Sequence, residues 1–153
     1  MIIREIKPSD FERLIFLYSQ LKPDEEERVS GEKLRAVFSN ICRDSRQRVY
    51  VCEEGGRLVS SCVLVLVENL THGARPYALV ENVVTDKNYR KRGYAAALLR
   101  HACGASGEYG CYKVMLMTGA KDEGTLRFYE RAGFNRNDKT AFIRWLDEKN
   151  VTE

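Results

Sequence analysis

The 153-residue sequence lacks a long apolar run, and its net charge of +3 is small. The longest apolar run, Cys62 to Val67, has the length of a strand and is far too short to span a membrane. We therefore expect no membrane partner, and the mild, dispersed charge gives no reason to expect nucleic-acid binding. No cationic stretch followed by an apolar run opens the chain, so we expect a cytoplasmic location.

Paired cysteines and closely spaced metal ligands are also missing. The odd number of cysteines and the absence of a C-x-x-C pair argue against a disulfide framework and a zinc site, so we expect no metal. His72 lies in a turn and His101 in a helix, and neither has a Cys or Asp placed for nucleophilic catalysis. We expect the thiols to be small buried hydrophobes. The cysteines are Cys42, Cys52, Cys62, Cys103 and Cys111.

An apolar content of 44% is typical of a soluble globular protein, and the length predicts a single domain over residues 1–153. The hydrophobic periods predict the order β-α-α-β-β-β-α-β-α-β, an α/β (α+β) fold with helices packed on a mixed sheet. Glu54 to Arg57 reads as a hairpin turn, and Lys22 to Ser30 as an exposed loop. The predicted strands are 1–6, 48–53, 58–68, 78–85, 111–118 and 140–146. The predicted helices are 11–21, 31–43, one that opens near Ala96 and closes between Gly104 and Gly110, and 122–132, with Gly133 as its C-terminal cap.

The stretch from Tyr77 to Cys103 is the most informative. An apolar strand meets the basic loop Arg90 to Ala95, which opens an Ala/Leu-rich helix. The first amides of a helix lack internal partners and carry partial positive charge, and Gly93 allows an anion to approach them. The pattern therefore predicts binding of a phosphate-bearing ligand.

Neither a P-loop nor a three-glycine dinucleotide fingerprint is present. The loop reads Arg-x-x-Gly-x-Ala and follows the strand Glu-Asn-Val-Val-Thr, while Thr125 to Phe134 reads TLRFYERAGF. In this order, the motifs resemble those of the GCN5-related N-acetyltransferase (GNAT) family. The resemblance covers essentially the whole chain and is sharpest from Val80 to Phe134. It implies a twisted, mostly antiparallel sheet flanked by helices.

The resemblance also implies that acetyl-CoA is the co-substrate. In this family the central strand separates from its neighbour, often at a bulge, and its backbone pairs with the pantetheine arm. Thr125 stands where many members have an Asn that contacts the cofactor. The strand positions that match are Val83, Val84 and Thr85. The positions that match the diphosphate loop are Arg90, Lys91, Arg92, Gly93, Tyr94 and Ala95.

Acetyl transfer to an amine needs a base, and a carboxylate among apolar neighbours suits that role. Glu81, between Val80 and Asn82, is the candidate, acting directly or through water; its structural alternative is a solvated or Arg-paired carboxylate. Strand alternation places Asn82 on the opposite face. Tyr129 matches the family tyrosine that donates a proton to the departing sulfur, and its alternative is an aromatic core residue.

The acceptor is left open by the sequence. Three functions are compatible with it: acetylation of a small-molecule primary amine, acetylation of a protein lysine or N-terminus, and acyl-CoA sensing without catalysis. The presence of both Glu81 and Tyr129 favours an enzyme, because a sensor needs neither a base nor an acid. The family resemblance implies acceptor contacts from Leu21–Ser30 and Leu70–Pro76. The acidic run Asp24–Glu27 suits a cationic acceptor, whereas Arg75 and His72 suit an anionic one such as a sugar phosphate. The Glu-Asn-Val-Val strand is also similar to that of glucosamine-phosphate acetyltransferases, and the family resemblance leaves a homodimer open.

Overall fold

A computed structural model describes residues 1–21 and 29–146. The chain forms two compact units, residues 1–116 and 117–153. None of the helices in the described ranges is both long and apolar enough to cross a membrane. The predicted loop at Lys22–Ser30, including the acidic run Asp24–Glu27, lies largely outside the described residues.

The first unit is built on a five-stranded sheet in the order β1-β2-β3-β4-β5. Strands β1 to β4 pair antiparallel, and β5 pairs parallel with β4. This mixed, mostly antiparallel sheet with flanking helices confirms the predicted fold class. The strands are β1 (Ile2–Glu5), β2 (Gln47–Glu54), β3 (Arg57–Val67), β4 (Tyr77–Thr85) and β5 (Val114–Leu116).

A two-residue turn joins β2 to β3. Glu54 pairs with Arg57, and Gly55 and Gly56 have φ of 56° and 74°. Two consecutive positive φ values define the mirror-image turn that matches the twist of a hairpin, and glycine adopts them without strain. The predicted hairpin is confirmed.

Two helices cover one face of the sheet. α1 (Phe11–Tyr18) and α2 (Gly31–Ile41) repeat apolar residues at helical spacing, which gives each an apolar side. Both helices end two or three residues before their predicted ends. Their buried side chains form one core with those of the sheet: Phe11, Leu14, Leu17, Phe38, Val49, Val51, Leu58, Val63 and Val84.

The third helix, α3 (Tyr94–Glu108), packs on the other face, where the ring of His101 meets that of Tyr50 edge-on at 4.6 Å. The helix continues through Gly104 and ends at Glu108, so the prediction that it closes between Gly104 and Gly110 is confirmed. Its hydrogen bonds continue through the glycine because the backbone stays helical. The chain leaves the helix only at Gly110, where φ is 79°.

The second unit contains α4 (Glu123–Arg131), close to its predicted bounds. Asp122 caps its first turn by accepting a hydrogen bond from the Thr125 amide at 2.9 Å. Gly133, with φ of 95°, follows its end, and the Phe134 amide bonds back to the Tyr129 carbonyl at 3.1 Å. This is the glycine C-terminal cap that the sequence predicted.

Two strand predictions need correction. β5 covers only Val114–Leu116 rather than residues 111–118, because only that segment pairs with β4. Thr140–Leu146 forms no strand: no ladder joins it to other described residues, and Phe142 and Leu146 are 92% and 90% exposed. The order in the described ranges is therefore β-α-α-β-β-β-α-β-α.

Candidate active site

A bulge interrupts β4 in its second half. Val63 pairs with Glu81 and Ser61 pairs with Val84, so the single residue Cys62 on β3 opposes two residues on β4. One of these two, Asn82, has φ of 50°, in the left-handed region that Asn tolerates better than most residues. The bulge that the family resemblance implied is therefore present in this strand.

The bulge determines which face Glu81 occupies. Directly paired residues on neighbouring strands share a face, and Val63, the partner of Glu81, belongs to the core under α1 and α2. Glu81 therefore lies on the α1 face and is partly exposed. Val84 lies on that face too, three residues later, because the extra residue shifts the alternation. The role of Glu81 as a base stays a prediction.

Polar side chains that the sequence did not single out lie beside this bulge. Burial raises the pKa of the Tyr18 hydroxyl, at the end of α1, to about 12, although the side chains of Ser61 and Asn82 lower it in part. The buried Ser61 Oγ has no hydrogen-bond partner among the described residues. The prediction that Asn82 faces away from Glu81 assumes strict alternation along the strand, and the bulge at this residue interrupts that alternation.

The edge of β4 toward β5 has a ladder only at its start. The parallel pairing covers Ala78–Val80, and the described strand pairs include none with β5 for residues 81–85. Val84 is buried in the core, which leaves its backbone as the part able to meet a ligand. The Thr85 hydroxyl lies 2.8 Å from Ser60 Oγ, which donates to the Val84 carbonyl at 2.6 Å.

Asp86 anchors the turn that leads from β4 into the basic loop. Its buried carboxylate accepts hydrogen bonds from the Asn88 amide at 3.0 Å and from Arg13 Nη2 at 3.4 Å. A 3-10 turn over Lys87–Tyr89 follows. Arg90 Nε then donates to the Thr85 carbonyl at 3.2 Å, so the start of the loop is tied to the end of the strand.

The N-terminus of α3 is open to an anion. Gly93, its cap residue, has φ of 85° and no side chain to bond the first amides. The Ala97 amide bonds to the Gly93 carbonyl at 3.0 Å, so the amides of Tyr94 and Ala95 precede the first intrahelical hydrogen bond. A Cβ placed on Gly93 would meet nothing within 4 Å, so the space beside this cap residue is open.

The basic side chains of the loop are exposed at Arg90, Lys91 and Arg92. The Arg92 guanidinium lies over the Tyr89 ring, 5.1 Å from its centroid, and Lys91 has φ of 61°. Cationic groups thus surround the open helix end, where an anion is also favoured by the helix dipole. Tyr94, the first helical residue, is buried and holds the helix end against the core.

The other two predicted site residues lie on α4, in the second unit. Tyr129 is partly buried, and its ring packs edge-on against Phe128 with centroids 5.0 Å apart. Thr125 contacts Asp122 one turn earlier: its amide donates to Asp122 Oδ1 at 2.9 Å, and its amide and hydroxyl both lower the pKa of that carboxyl. Its contact with the cofactor stays a prediction.

The histidines and cysteines provide no second catalytic centre. His72 stacks on Tyr112 with ring centroids 4.0 Å apart, and His101 packs against Tyr50. Burial raises the pKa of the Cys62 thiol to about 12, and a protonated thiol is a poor nucleophile. In the described ranges, no group of three or more His, Cys, Asp or Glu side chains is placed to hold a metal ion.

Two surface cavities lie elsewhere. One, of about 420 Å³, lies between β1, β2 and the C-terminal half of α3, and includes Arg48 and His101. The other, of about 480 Å³, lies beside α1 and α2 and includes Phe11 and Arg35. Neither includes the bulge or the basic loop. The chemistry of those two segments, rather than cavity size, identifies the candidate site.

Comparison with known proteins gives a consistent result. The family model described as "Acetyltransferase (GNAT) family" matches residues 13–134. A glucosamine 6-phosphate N-acetyltransferase of Trypanosoma brucei brucei is 36% identical over 92 residues, 60% of this chain and 60% of that protein. The chain thus spans about three fifths of the length of that curated relative.

Solved structures match over nearly the whole chain. A protein of Agrobacterium tumefaciens str. C58, described provisionally as an acetyltransferase, has a TM-score of 0.88 and 38% identity, with 95% of this chain and 100% of that chain covered. An acetyltransferase of Trypanosoma brucei has a TM-score of 0.77 and 31% identity, with coverage of 94% and 99%. Together with the family match, these similarities confirm the resemblance seen in the sequence: the chain belongs to the acetyltransferase (GNAT) family.

Proposed function

We propose that this protein transfers an acetyl group from acetyl-CoA directly to a primary amine of a small molecule. One observation carries the proposal: a bulged strand with a free edge leads into an uncapped helix N-terminus surrounded by cations. A coenzyme that has both an amide-containing arm and a diphosphate needs these two features side by side. The chain connects them through eight residues, Asp86 to Gly93, of which Asp86 and Arg90 bond back to the sheet.

The residues present fit the coenzyme. The amides that open α3 and the loop Arg90–Ala95 would bind the diphosphate, since Gly93 leaves their approach free. The backbone of Val83–Thr85 would pair with the pantetheine arm as an added strand. Binding in this way places the thioester beside the bulge and therefore near Glu81.

The chemistry follows from this placement. The amine nitrogen attacks the thioester carbonyl carbon, so a C–N bond forms and the C–S bond breaks. Glu81 takes the proton that the amine loses, directly or through one water, and Tyr129 gives its hydroxyl proton to the departing thiolate. The products are an amide and the free thiol of coenzyme A. No thiol of the protein is needed, in agreement with the protonated, buried Cys62.

A small-molecule acceptor is favoured by the relative named as a glucosamine 6-phosphate N-acetyltransferase. Arg75 is exposed and is held in place by hydrogen bonds that it donates to the carbonyls of Gly110 at 3.1 Å and Cys111 at 3.2 Å, which leave its positive charge available to such a phosphate. The acceptor segment at Leu21–Ser30 falls mainly outside the described residues. A single catalytic domain in the cytoplasm, without nucleic-acid or membrane partners, completes the proposal, and a homodimer is left open.

An acceptor screen tests this function. Purified protein is mixed with acetyl-CoA and with amino sugars and their phosphates, polyamines, aminoglycosides, amino acids or peptides, and release of free thiol is followed. We expect turnover with a small amine and none without acceptor. Turnover confined to peptides would favour a protein lysine or N-terminal acetyltransferase. Tight acetyl-CoA binding without turnover of any acceptor would favour the sensor alternative.

A further inference from the structure

Two side chains from the region of α1 reach the turn between β4 and the basic loop. Arg13, on α1, donates from Nε to the Leu58 carbonyl at 3.2 Å and from Nη2 to the buried Asp86 carboxylate at 3.4 Å. Gln20, two residues beyond the end of α1, accepts a hydrogen bond at its Oε1 from the Lys87 amide at 2.9 Å. Asp86 and Lys87 are adjacent, so the first helix region holds this turn at two consecutive residues.

Gln20 is itself held in place. Its amide bonds to the Leu17 carbonyl at 3.1 Å, so its backbone follows directly from the last turn of α1, and Leu17 is fully buried in the core. Its Nε2 is buried and has no hydrogen-bond partner among the described residues. A buried donor without a partner lowers stability, so packing alone does not favour a glutamine here. The bond from the Lys87 amide is the interaction that a glutamine can make and an apolar side chain cannot.

The turn is in contact with the opening of α3. The Tyr89 amide closes the 3-10 turn by bonding to the Asp86 carbonyl at 2.7 Å. The centroid of the Tyr89 ring lies 6.3 Å from that of Tyr94, the first residue of α3, and 5.1 Å from the Arg92 guanidinium. A displacement of Lys87 would therefore move the ring against which the basic loop and the helix end pack.

We propose that Gln20 is a positioning residue for the coenzyme: by accepting a hydrogen bond from the Lys87 amide, it fixes the turn that sets the loop Arg90–Ala95 relative to β4. The inference rests on the proposed function, which assigns that loop to the diphosphate. Gln20 acts through the turn and transfers no proton. It acts on affinity, because a loop that is already held in its binding conformation loses less entropy when the ligand binds. The Kd and KM of the coenzyme therefore depend on Gln20, and kcat does not.

Gln20→Met tests this role, because methionine has about the length of glutamine but lacks the carbonyl oxygen that accepts the Lys87 amide. We expect the Kd of coenzyme A to rise about 5-fold, which corresponds to one hydrogen bond, and kcat to stay unchanged. The denaturant midpoint of unfolding should stay the same or rise, because the variant also removes the unpartnered Nε2. Gln47→Met, at the start of β2, changes the chain's only other glutamine and is the control, which should match wild type in Kd.

A pair of changes at Lys87 isolates the amide. Lys87 is the first residue of the 3-10 turn, where proline is tolerated, and Asp86 before it has ψ of 129°, which suits a residue that precedes proline. Lys87→Pro removes the amide proton, whereas Lys87→Ala removes the same side chain and keeps that proton. In the Lys87→Ala protein, Gln20→Met should again raise Kd about 5-fold, and in the Lys87→Pro protein it should add nothing.

Calorimetric titration with coenzyme A, without any acceptor, gives these Kd values. Equal values for Gln20→Met and Gln47→Met would overturn the inference, and so would a further loss from Gln20→Met in the Lys87→Pro protein. A higher Kd together with a lower midpoint of unfolding would make Gln20 a structural residue and overturn it too. If the wild type binds no coenzyme A, the proposed function fails and the inference fails with it. If the wild type binds and the variants do not differ from it, only the inference fails.

Discussion

Arg90 donates from Nε to the carbonyl oxygen of Thr85 at 3.2 Å, so the first residue of the basic loop is tied to the last residue of β4. This bond joins the two segments assigned to the coenzyme. It spans five residues of chain and crosses the turn that Asp86 caps. The loop therefore has a fixed starting point relative to the strand edge.

Arg90→Lys should weaken acetyl-CoA binding. Lysine keeps the positive charge but lacks the Nε donor, so the loop loses its tie at a cost of about 1 kcal/mol, or about a 5-fold rise in Kd. Arg100→Lys, on the exposed side of α3, is the control. Calorimetric titration measures both, and equal Kd values for the two variants would show that the tie does not order the site.

Gly93→Ala should weaken coenzyme binding by about 10-fold or more and leave the fold intact. The new Cβ enters the open space beside the cap residue, where we expect the diphosphate, and no protein atom opposes it. Gly110→Ala is a matched control, because Gly110 has a similar φ of 79° and the same open surroundings. Each substitution should lower the free energy of unfolding by about 1–2 kcal/mol, because alanine, unlike glycine, is strained in the left-handed conformation. Equal Kd values for the two variants would argue against the loop assignment.

Glu81→Gln should lower kcat by about 100-fold and change acetyl-CoA affinity little. The amide keeps the size of the carboxylate but cannot accept the proton of the attacking amine. Glu108→Gln, an exposed change on α3, should leave both quantities as in wild type. Steady-state kinetics and equilibrium binding separate the two effects. A parallel loss of affinity and rate in Glu81→Gln would remove its role as base.

Tyr129→Phe should slow transfer about 10-fold or more with similar coenzyme affinity, because the thiolate loses its proton donor while the ring still packs on Phe128. Tyr109→Phe is the control, because it removes a tyrosine hydroxyl that bonds Arg48 instead. A thiol-release assay under saturating substrate measures the difference. An unchanged kcat would show that Tyr129 is only an aromatic core residue, the alternative that the sequence left open.

The carboxyl of Asp10 gives a pH-dependent prediction. Burial opposes its ionisation, but hydrogen bonds from Arg4 at 2.7 and 3.1 Å and from the Lys7 amide at 2.7 Å outweigh it and lower its pKa below 3.8. Its stabilisation is therefore complete above pH 3.8 and is lost as pH falls through the lower folded-state pKa. Asp10→Asn should reduce the free energy of unfolding by about 2 kcal/mol at pH 7.

Denaturant titrations at several pH values check this. The difference in free energy of unfolding between wild type and Asp10→Asn should decrease as pH falls below 3.8, because protonation of Asp10 removes the same interaction from the wild type. Asp44→Asn, an exposed change at a turn, is the comparison. A gap that is independent of pH would show that the ionised carboxylate is not what stabilises the fold.

Local chemistry in the sequence predicted most of this architecture. Paired glycines at Gly55 and Gly56 specify their turn, and Gly93 before an Ala/Leu-rich run specifies the open helix end, because both depend on a few adjacent residues. Thr140–Leu146 also has strand-like residues, but a strand forms only where another backbone pairs with it. None does so in the described ranges, and no local pattern contains that information.

The site was predictable to the same extent. The strand and the basic loop were found because each is a contiguous motif. The bulge at Asn82 was implied only by family resemblance, and its consequence was missed because strict alternation assumes regular pairing.

The structure of a complex with acetyl-CoA is the most direct test of the central claim. We predict that the diphosphate oxygens lie within hydrogen-bond distance of the amides between Arg92 and Ala95, with the pantetheine arm along Val83–Thr85. Coenzyme bound at another surface, or no binding in a titration of the pure protein, would contradict it.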